Sequence, residues 1–443
     1  MQENTISDTI VKQMLGEWAI PQDAAFQESS RCLACHNPPC TQGCPAGIPV
    51  GDFIRRMKWK DWEGAAELIL KANPFGTICG FVCPEDILCE KDCIRKNIDS
   101  SIRIRELQKY VTLSHSRQIH YKGAEGNKRG PVAILGGGPA GLSCACILAL
   151  QGVKIDLYEK RPYPGGVSYF SLPSFRLPDR ALEMDVQRIL SLNINYIQSD
   201  ISSLNINDLQ KYQAVFIGLG LDKTSDLHIP GENLENVTDS VQFLEGIKKS
   251  PGEKVSSQEC YSSIIIIGGG NTAMDCALSA KYYYPESRVI LSYRRRIEEM
   301  PAWEREKESC FKAGVDFLMQ TAPVAIQGKE KVEEVVLRRT EPGEPDASGR
   351  CRPVEIPGSD FTVPCNLVIK ALGQKGPKYI SELLPELKTD HNFYISTNED
   401  GKTSINGIWA GGDCCNGGKT VVEAVSDGKK AAKQICQSLK EEK

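Results

Sequence analysis

The sequence predicts an α/β chain: two parallel-sheet units of the βαβ type, the second inserted in the first, behind a helical, cysteine-rich N-terminal region. Three observations predict it. Val132-Ala-Ile-Leu-Gly136-Gly-Gly138-Pro-Ala-Gly141 places an apolar strand directly before a G-x-G-x-x-G turn. Ile264-Ile-Ile-Ile-Gly268-Gly-Gly270-Asn-Thr-Ala273 repeats the pattern, with alanine in the third small position. Eight cysteines fall within the first 93 residues at short gaps.

A chain of 443 residues holds about three domains with sizeable cores. Its formal net charge of -4 gives no basic field for nucleic acid. No apolar run is long enough to span a bilayer; the longest, around Ile264 to Ile267, reads as a buried strand. Met1-Gln-Glu-Asn-Thr-Ile lacks the basic and apolar regions of a signal peptide, which points to the cytoplasm. In that reducing compartment eighteen cysteines, clustered, mean metal rather than disulfides.

Taken in order, Ser7 to Trp18 reads as a short amphipathic helix. Cys32-x(2)-Cys35-x(4)-Cys40-x(3)-Cys44-Pro45 follows. After a helical stretch around Ile54 to Leu70 comes Cys79-x(3)-Cys83-Pro84-x(4)-Cys89-x(3)-Cys93. Short gaps with proline after Cys44 and Cys83 suit ferredoxin-style iron-sulfur ligation, where the last cysteine of a run often serves the other cluster. Cys32-Leu-Ala-Cys35-His36 also spells the c-type haem attachment pattern, but that needs export and leaves six cysteines unexplained. Thiolates suit structural zinc as well. Beside a dinucleotide fingerprint, however, a redox-inert ion has nothing to pass on.

Gly123 to Gly130 is a polar, glycine-rich joint. In the first fingerprint Gly136 makes the turn, Gly138 lets the backbone approach a pyrophosphate, and Gly141 lets helix and strand pack closely. Lys154-Ile-Asp-Leu-Tyr-Glu159 then ends a second strand in an acid placed for a ribose hydroxyl. Tyr163 to Pro178 is irregular backbone able to line a flat ring, and Ala214 to Gly220 is a buried strand ending in glycines. In the second unit the strand from Val289 to Tyr293 ends not in an acid but in Arg294-Arg295-Arg296, which suits a ribose 2′-phosphate, so NADPH over NADH. Leu367 to Gly373 closes that unit. Gly407-Ile-Trp-Ala-Gly411-Gly412-Asp413 is a last strand feeding an acid, and the helix starting near Thr420 can stabilise negative charge at its N-terminus. The domains expected are 1–125 (helical, iron-sulfur), 130–237 and 374–443 (first nucleotide unit, in two parts) and 238–373 (second nucleotide unit). The five histidines are scattered and show no catalytic or metal spacing.

From about Ser30 to Lys430 the chain resembles the two-dinucleotide-binding flavoproteins, with glutathione-reductase-like FAD and NAD(P) domains. Its N-terminal region is similar to that of the glutamate synthase small subunit and of the N-terminal half of dihydropyrimidine dehydrogenase. The marks that carry this are the cysteine spacing, Asn73-Pro-Phe-Gly-Thr-Ile-Cys79-Gly-Phe-Val-Cys83-Pro84, Pro173-Ser-Phe-Arg-Leu-Pro178 and Met300-Pro-Ala302. The resemblance implies one 4Fe-4S cluster on Cys32, Cys35, Cys40 and Cys93. It implies a second on Cys44, Cys83, Cys89 and Gln108, although spacing alone leaves Cys79 open as the eighth ligand. FAD contacts map onto Gly136, Gly138, Pro139, Ala140, Gly141, Glu159, Gly166, Val167, Arg176, Gly412, Asp413, Thr420 and Val421. NADPH contacts map onto Gly268, Gly270, Asn271, Thr272, Arg294, Arg295, Ala371, Leu372 and Gly373, with NADH as the other coenzyme this site could take.

No side chain is expected to act as nucleophile; catalysis would come from positioning. The sequence stops soon after the last helix, leaving no length for a barrel with a second flavin. What the resemblance implies is an electron-input subunit in a hetero-oligomer, its partner a pyrimidine-reducing subunit of the FMN-barrel type. The alternatives are the small subunit of NADPH-dependent glutamate synthase, and a bifurcating transhydrogenase subunit that exchanges electrons with ferredoxin. The loop after Arg296 is shorter than in the dehydrogenases and closer to glutamate synthase.

Overall fold

Proline and asparagine breaks cut the N-terminal region of the computed structural model into short helices: α1 (Gln22–Ser30), α2 (Val50–Lys58), α3 (Trp62–Ala72), α4 (Gly76–Val82) and α5 (Ile104–His115). The structure describes residues 19–124, 129–249, 261–345 and 349–441. The helix expected from Ser7 to Trp18 lies outside them, as do residues 125–128 of the glycine-rich joint. The helical stretch around Ile54 to Leu70 is two helices rather than one. Lys60 takes φ +58°, and the Asp61 carboxylate caps α3 by accepting the Gly64 amide. Phe53, Ile54, Met57, Ile69 and Leu107 lead the core between these helices; Cys93 belongs to it, and Cys32, Cys40, Cys44 and Cys89 pack against it.

The chain then alternates strand and helix: β1 (Arg129–Leu135), α6 (Pro139–Leu150), β2 (Val153–Glu159), α7 (Asp179–Leu190), β3 (Ile194–Gln198) and β4 (Ala214–Ile217). A second alternation follows: β5 (Val237–Asp239), α8 (Ser240–Lys249), β6 (Ser263–Ile267), α9 (Asn271–Tyr283), β7 (Arg288–Tyr293), α10 (Glu304–Lys312) and β8 (Asp316–Met319). An antiparallel sheet of β9 (Thr321–Gln327), β10 (Glu334–Pro345), β11 (Cys351–Glu355) and β12 (Phe361–Pro364) comes next. The chain ends through β13 (Leu367–Lys370), β14 (Ile408–Ala410) and α11 (Val421–Glu441).

One parallel sheet has the order β14-β4-β1-β2-β3 and the other β5-β13-β6-β7-β8. Parallel pairing needs a crossover between strands, and helices supply it. Strands covered on both faces are apolar throughout, and every residue of β4 and of β6 is buried. The described residues form two compact units: 170–175 with 224–374, and 19–169 with 176–223 and 375–441. The cysteine-bearing helices and the first fingerprint therefore share a unit. No helix among the described residues is long and apolar enough to cross a membrane.

Within that shared unit Asp185 of α7, wholly buried, accepts the Thr77 and Ile78 amides at 2.9 and 3.0 Å. It thus caps α4 from another part of the chain. Arg188 pairs with it at 2.8 Å and donates on to the Ser116 hydroxyl. Asp185→Ala strands a buried guanidinium and two helix amides, and is expected to cost about 3–5 kcal/mol. Thermal unfolding checks this, with Asp185→Asn, which keeps an acceptor for the amides, losing less.

Candidate functional site

β1 enters a turn whose glycines are there for different reasons. Gly136 takes φ +104°, and a Cβ on it would press into the Gly218 carbonyl at the end of β4. A Cβ on Gly141 would overlap the Gly136 carbonyl, so α6 starts directly against its own turn. Gly138, the N-cap of α6, faces open space: a Cβ there would meet nothing within 4 Å. That opening lies at a helix N-terminus, where first-turn amides lack partners and attract anions. Pro139 and Ala140 form the first turn.

Glu159 ends β2 nearly buried. Its Oε2 accepts the Gly137 amide at 2.8 Å and its Oε1 the Arg161 amide at 3.0 Å. Each oxygen keeps a lone pair for a hydroxyl. The Gly165 amide bonds the Gly137 carbonyl at 2.7 Å, bringing the Gly165-Gly166 turn onto the fingerprint. Val167, 53% exposed, starts a short helix (Val167–Phe170), and Arg176 is partly buried in the irregular stretch beyond.

Gly412 and Asp413 follow β14, and a Cβ on Gly412 would touch Ala140, so this loop lies on the first turn of α6. Burial pushes the Asp413 carboxyl up to about 6, against the pull of the Lys419 amide it accepts. Thr420 and Glu423 cap each other reciprocally, which starts α11 at Val421. An open anion cradle, an acid at the end of β2 and a partly buried Gly-Asp turn fit the pyrophosphate, ribose and polyol of FAD.

Cys32, Cys35, Cys40 and Cys93 line one cavity with Leu33, Ile54, Ile94 and Ile102. Burial, with Cys93 and Cys32 adding to it, pushes the Cys40 thiol up to about 12. A second group centres on Cys83, which lies within electrostatic reach of Cys44, Cys79 and Cys89. Cys83 is raised first by its bond to the Cys79 thiol, then by burial. Bound iron would reverse that preference, because a cation holds its thiol ligands deprotonated. Among the described residues no three His, Cys, Asp or Glu side chains close around a single metal ion. Four thiols lining one cavity fit the thiolate ligation of a multi-iron cluster. Gln108 is buried in α5 with its Nε2 donating to the Gly76 carbonyl at 2.7 Å, which leaves its oxygen as the available donor atom. The structure thus brings the Cys79 thiol against Cys83, while the Gln108 amide bonds the Gly76 carbonyl.

In the other unit the geometry repeats. Gly268 takes φ +148° against Ala371, and Gly270 caps α9 facing open space. Asn271 Oδ1 accepts the Trp303 amide at 2.9 Å, which ties the Met300-Pro-Ala302 segment to the fingerprint; Thr272 is exposed. Ala371 donates to Ile267 at 2.9 Å, Leu372 packs on a neighbouring core, and the Gly373 carbonyl holds Ser225. The three arginines part company. Arg295 Nε donates to the Cys351 carbonyl at 2.8 Å, Arg296 pairs with Glu299, and the guanidinium of Arg294 is exposed with no partner among the described residues. Sequence reasoning missed the antiparallel sheet that supplies Cys351. Its signal was the short apolar run Val335-Val-Leu337 between charged residues, a strand-length pattern.

A family described as pyridine nucleotide-disulphide oxidoreductase matches residues 130–428, and one described as dihydropyrimidine dehydrogenase domain II, 4Fe-4S cluster, matches residues 15–119. A Salmonella typhi protein, NAD-dependent dihydropyrimidine dehydrogenase subunit PreT homolog, is 35% identical over 94% of this chain and 95% of its own. The glutamate synthase (NADPH) small chain of Halomonas elongata is 34% identical over 95% and 91%. Mycobacterium tuberculosis FprA in complex with NADPH shares the fold, with a TM-score of 0.58 at 19% identity over 71% of this chain and 85% of that one. So does Lactococcus lactis thioredoxin reductase, with a TM-score of 0.55 at 21% identity over 70% and 99%.

The two glycines of the first turn separate packing from binding. Gly141→Ala is expected to destabilise the protein by about 1–3 kcal/mol through overpacking. Gly138→Ala should leave flavin-free stability within about 0.5 kcal/mol yet lower the flavin retained per chain. Thermal melts and flavin absorbance read the two effects.

Proposed function

Because the chain belongs to the pyridine nucleotide-disulphide oxidoreductase family, among the PreT subunits and glutamate synthase small chains, we propose that it is the electron-input subunit of a larger enzyme. It takes reducing equivalents from NAD(P)H, with NADPH preferred, and delivers them through FAD and two 4Fe-4S clusters to a partner that holds the substrate site. The observation that carries this reading is the gathering of Cys32, Cys35, Cys40 and Cys93 around one cavity, in the same compact unit as the Gly138 cradle.

When bound, FAD exchanges a hydride with nicotinamide and releases electrons singly, and clusters accept them one at a time. What the chain supplies is placement. The α6 N-terminus and Gly138 receive the FAD pyrophosphate, Glu159 the ribose, and Asp413 with Gly412 the polyol. The N-terminus of α11, at Thr420 and Val421, favours negative charge on the ring. Gly166, Val167 and Arg176 border this site. Gly268, Gly270, Asn271 and Thr272 present the matching cradle to NADPH, with Ala371, Leu372 and Gly373 at the end of β13 as its floor. Arg294, whose guanidinium is uncommitted, is the group to meet a 2′-phosphate, while Arg295 braces β11. The first cluster is assigned to Cys32, Cys35, Cys40 and Cys93, and the second to Cys44, Cys83 and Cys89 with Gln108 or Cys79.

Pyrimidine reduction by an FMN-barrel partner is the reading we favour for the whole enzyme, in the cytoplasm. Glutamate synthase is the second reading, supported by a relative of nearly equal identity and by the short loop after Arg296. Mass identification of the chain that co-purifies decides between them: a barrel of the dihydroorotate-dehydrogenase type supports the first, and a much larger amidotransferase the second.

For the coenzyme, Arg294→Ala removes one charge-assisted contact worth about 1.5–3 kcal/mol, so kcat/KM for NADPH should fall roughly 10- to 100-fold with NADH use unchanged. Diaphorase assays with an artificial acceptor measure both. NADH outperforming NADPH in the parent protein, together with an indifferent Arg294→Ala, would refute the phosphate contact.

A further inference from the structure

Three consecutive residues of α11 each hold a different part of one compact unit. Asp427 Oδ2 accepts the Gly412 amide at 3.0 Å and so pins the turn before Asp413. Gly428 lies on the first turn of α6, where any Cβ would overlap the Ala140 carbonyl. Lys429 reaches into the cysteine-bearing region: its Nζ donates to the Ala46 carbonyl at 2.6 Å and to the Ala72 carbonyl. Ala72 is the last residue of α3, whose terminal carbonyls lack helical partners and favour a cation.

Ala46 is two residues beyond Cys44 in Cys44-Pro-Ala-Gly47-Ile48. Burial pushes the Cys44 thiol up, and the backbone amides of Ile48, Ala46 and Gly47 pull it down. The Gly47 amide donates back to the Cys44 carbonyl at 2.9 Å, so the loop after Cys44 is a closed turn whose Ala46 carbonyl is held by Lys429. Fixing that carbonyl fixes the turn that carries the Cys44 sulfur. Charge adds to geometry. Burial, followed by Lys433, disfavours the ammonium, whereas Cys44 and Cys146 favour it.

We propose that Lys429 is a positioning residue for the cluster held by Cys44: its ammonium orients the Cys44 loop, raises that cluster's reduction potential, and ties the loop to the helix that pins the flavin turn. A reduced cluster carries one more negative charge than an oxidised one. A cation held nearby in a poorly screened interior stabilises the reduced form, and hydrogen bonding around the sulfurs tunes the potential in the same direction. The inference rests on reading Cys44 as a cluster ligand.

The test uses the full chain, purified anaerobically, as the parent protein and as Lys429→Met, Lys429→Gln and Lys429→Arg. Iron and sulfide content is measured first, and redox titration followed by paramagnetic resonance second. The Met and Gln variants should shift the midpoint of one cluster signal to more negative potential and leave the other in place, while Arg stays near the parent value. Gln, which still offers a donor, carries the test if Met does not fold. Unmoved midpoints in iron-loaded Met and Gln variants overturn the proposal, as does an Arg variant shifted as far as Met. A parent protein without cluster iron overturns instead the ligand reading beneath it.

Discussion

The structure depends on one close approach, made twice: a helix that begins against the turn leaving its own strand. At Gly141 there is no room for a side chain, because the Gly136 carbonyl fills the place a Cβ would take. Ala273, wholly buried, marks the same junction in the second unit. This contact aims the helix axis at the turn, so that Gly138 and Gly270 sit at N-termini facing open space. A site for a diphosphate follows from backbone alone, without a cationic side chain. Glu159 adds to it by holding the Gly137 amide, which makes the acid part of the turn itself.

The cysteine-bearing helices do not stand apart from the first nucleotide unit. Asp185, from between β2 and β3, caps the helix that leads into Cys83, and Lys429, from the last helix, holds the loop after Cys44. Both are buried or partly buried polar groups whose desolvation is offset by paired acceptors or donors. Such contacts fix geometry better than apolar packing does, since they fail when displaced by an ångström. For electron transfer between fixed centres, that rigidity is the useful property.

The second unit shows how a charged run divides its work. Arg294, Arg295 and Arg296 are adjacent in sequence, yet one braces an antiparallel strand, one pairs with Glu299, and one is left exposed. Glu299 is central here. It accepts from Arg296 and from the Cys351 amide, and its carboxyl is held below its usual range by those bonds despite desolvation, the largest single influence on it. The antiparallel sheet thereby sets which arginine is left uncommitted.

The local sequence determined the two fingerprints, the strand–turn–helix order around them, the buried strands Ile264 to Ile267 and Ala214 to Ile217, and the clustering of cysteines. Each is a matter of spacing along a few residues, where glycine conformation and hydrophobic period act directly. Only the tertiary structure decided which of three neighbouring arginines is uncommitted, that Lys60 breaks a helix in two, and that Cys79 lies against Cys83 while Gln108 bonds Gly76. It alone revealed Asp185 and Lys429. A lysine on an amphipathic helix reads as solvated, and nothing near it in sequence shows that its partners are carbonyls some 383 and 357 residues away. Interactions at that separation depend on how the elements pack, and packing is a property of the folded whole.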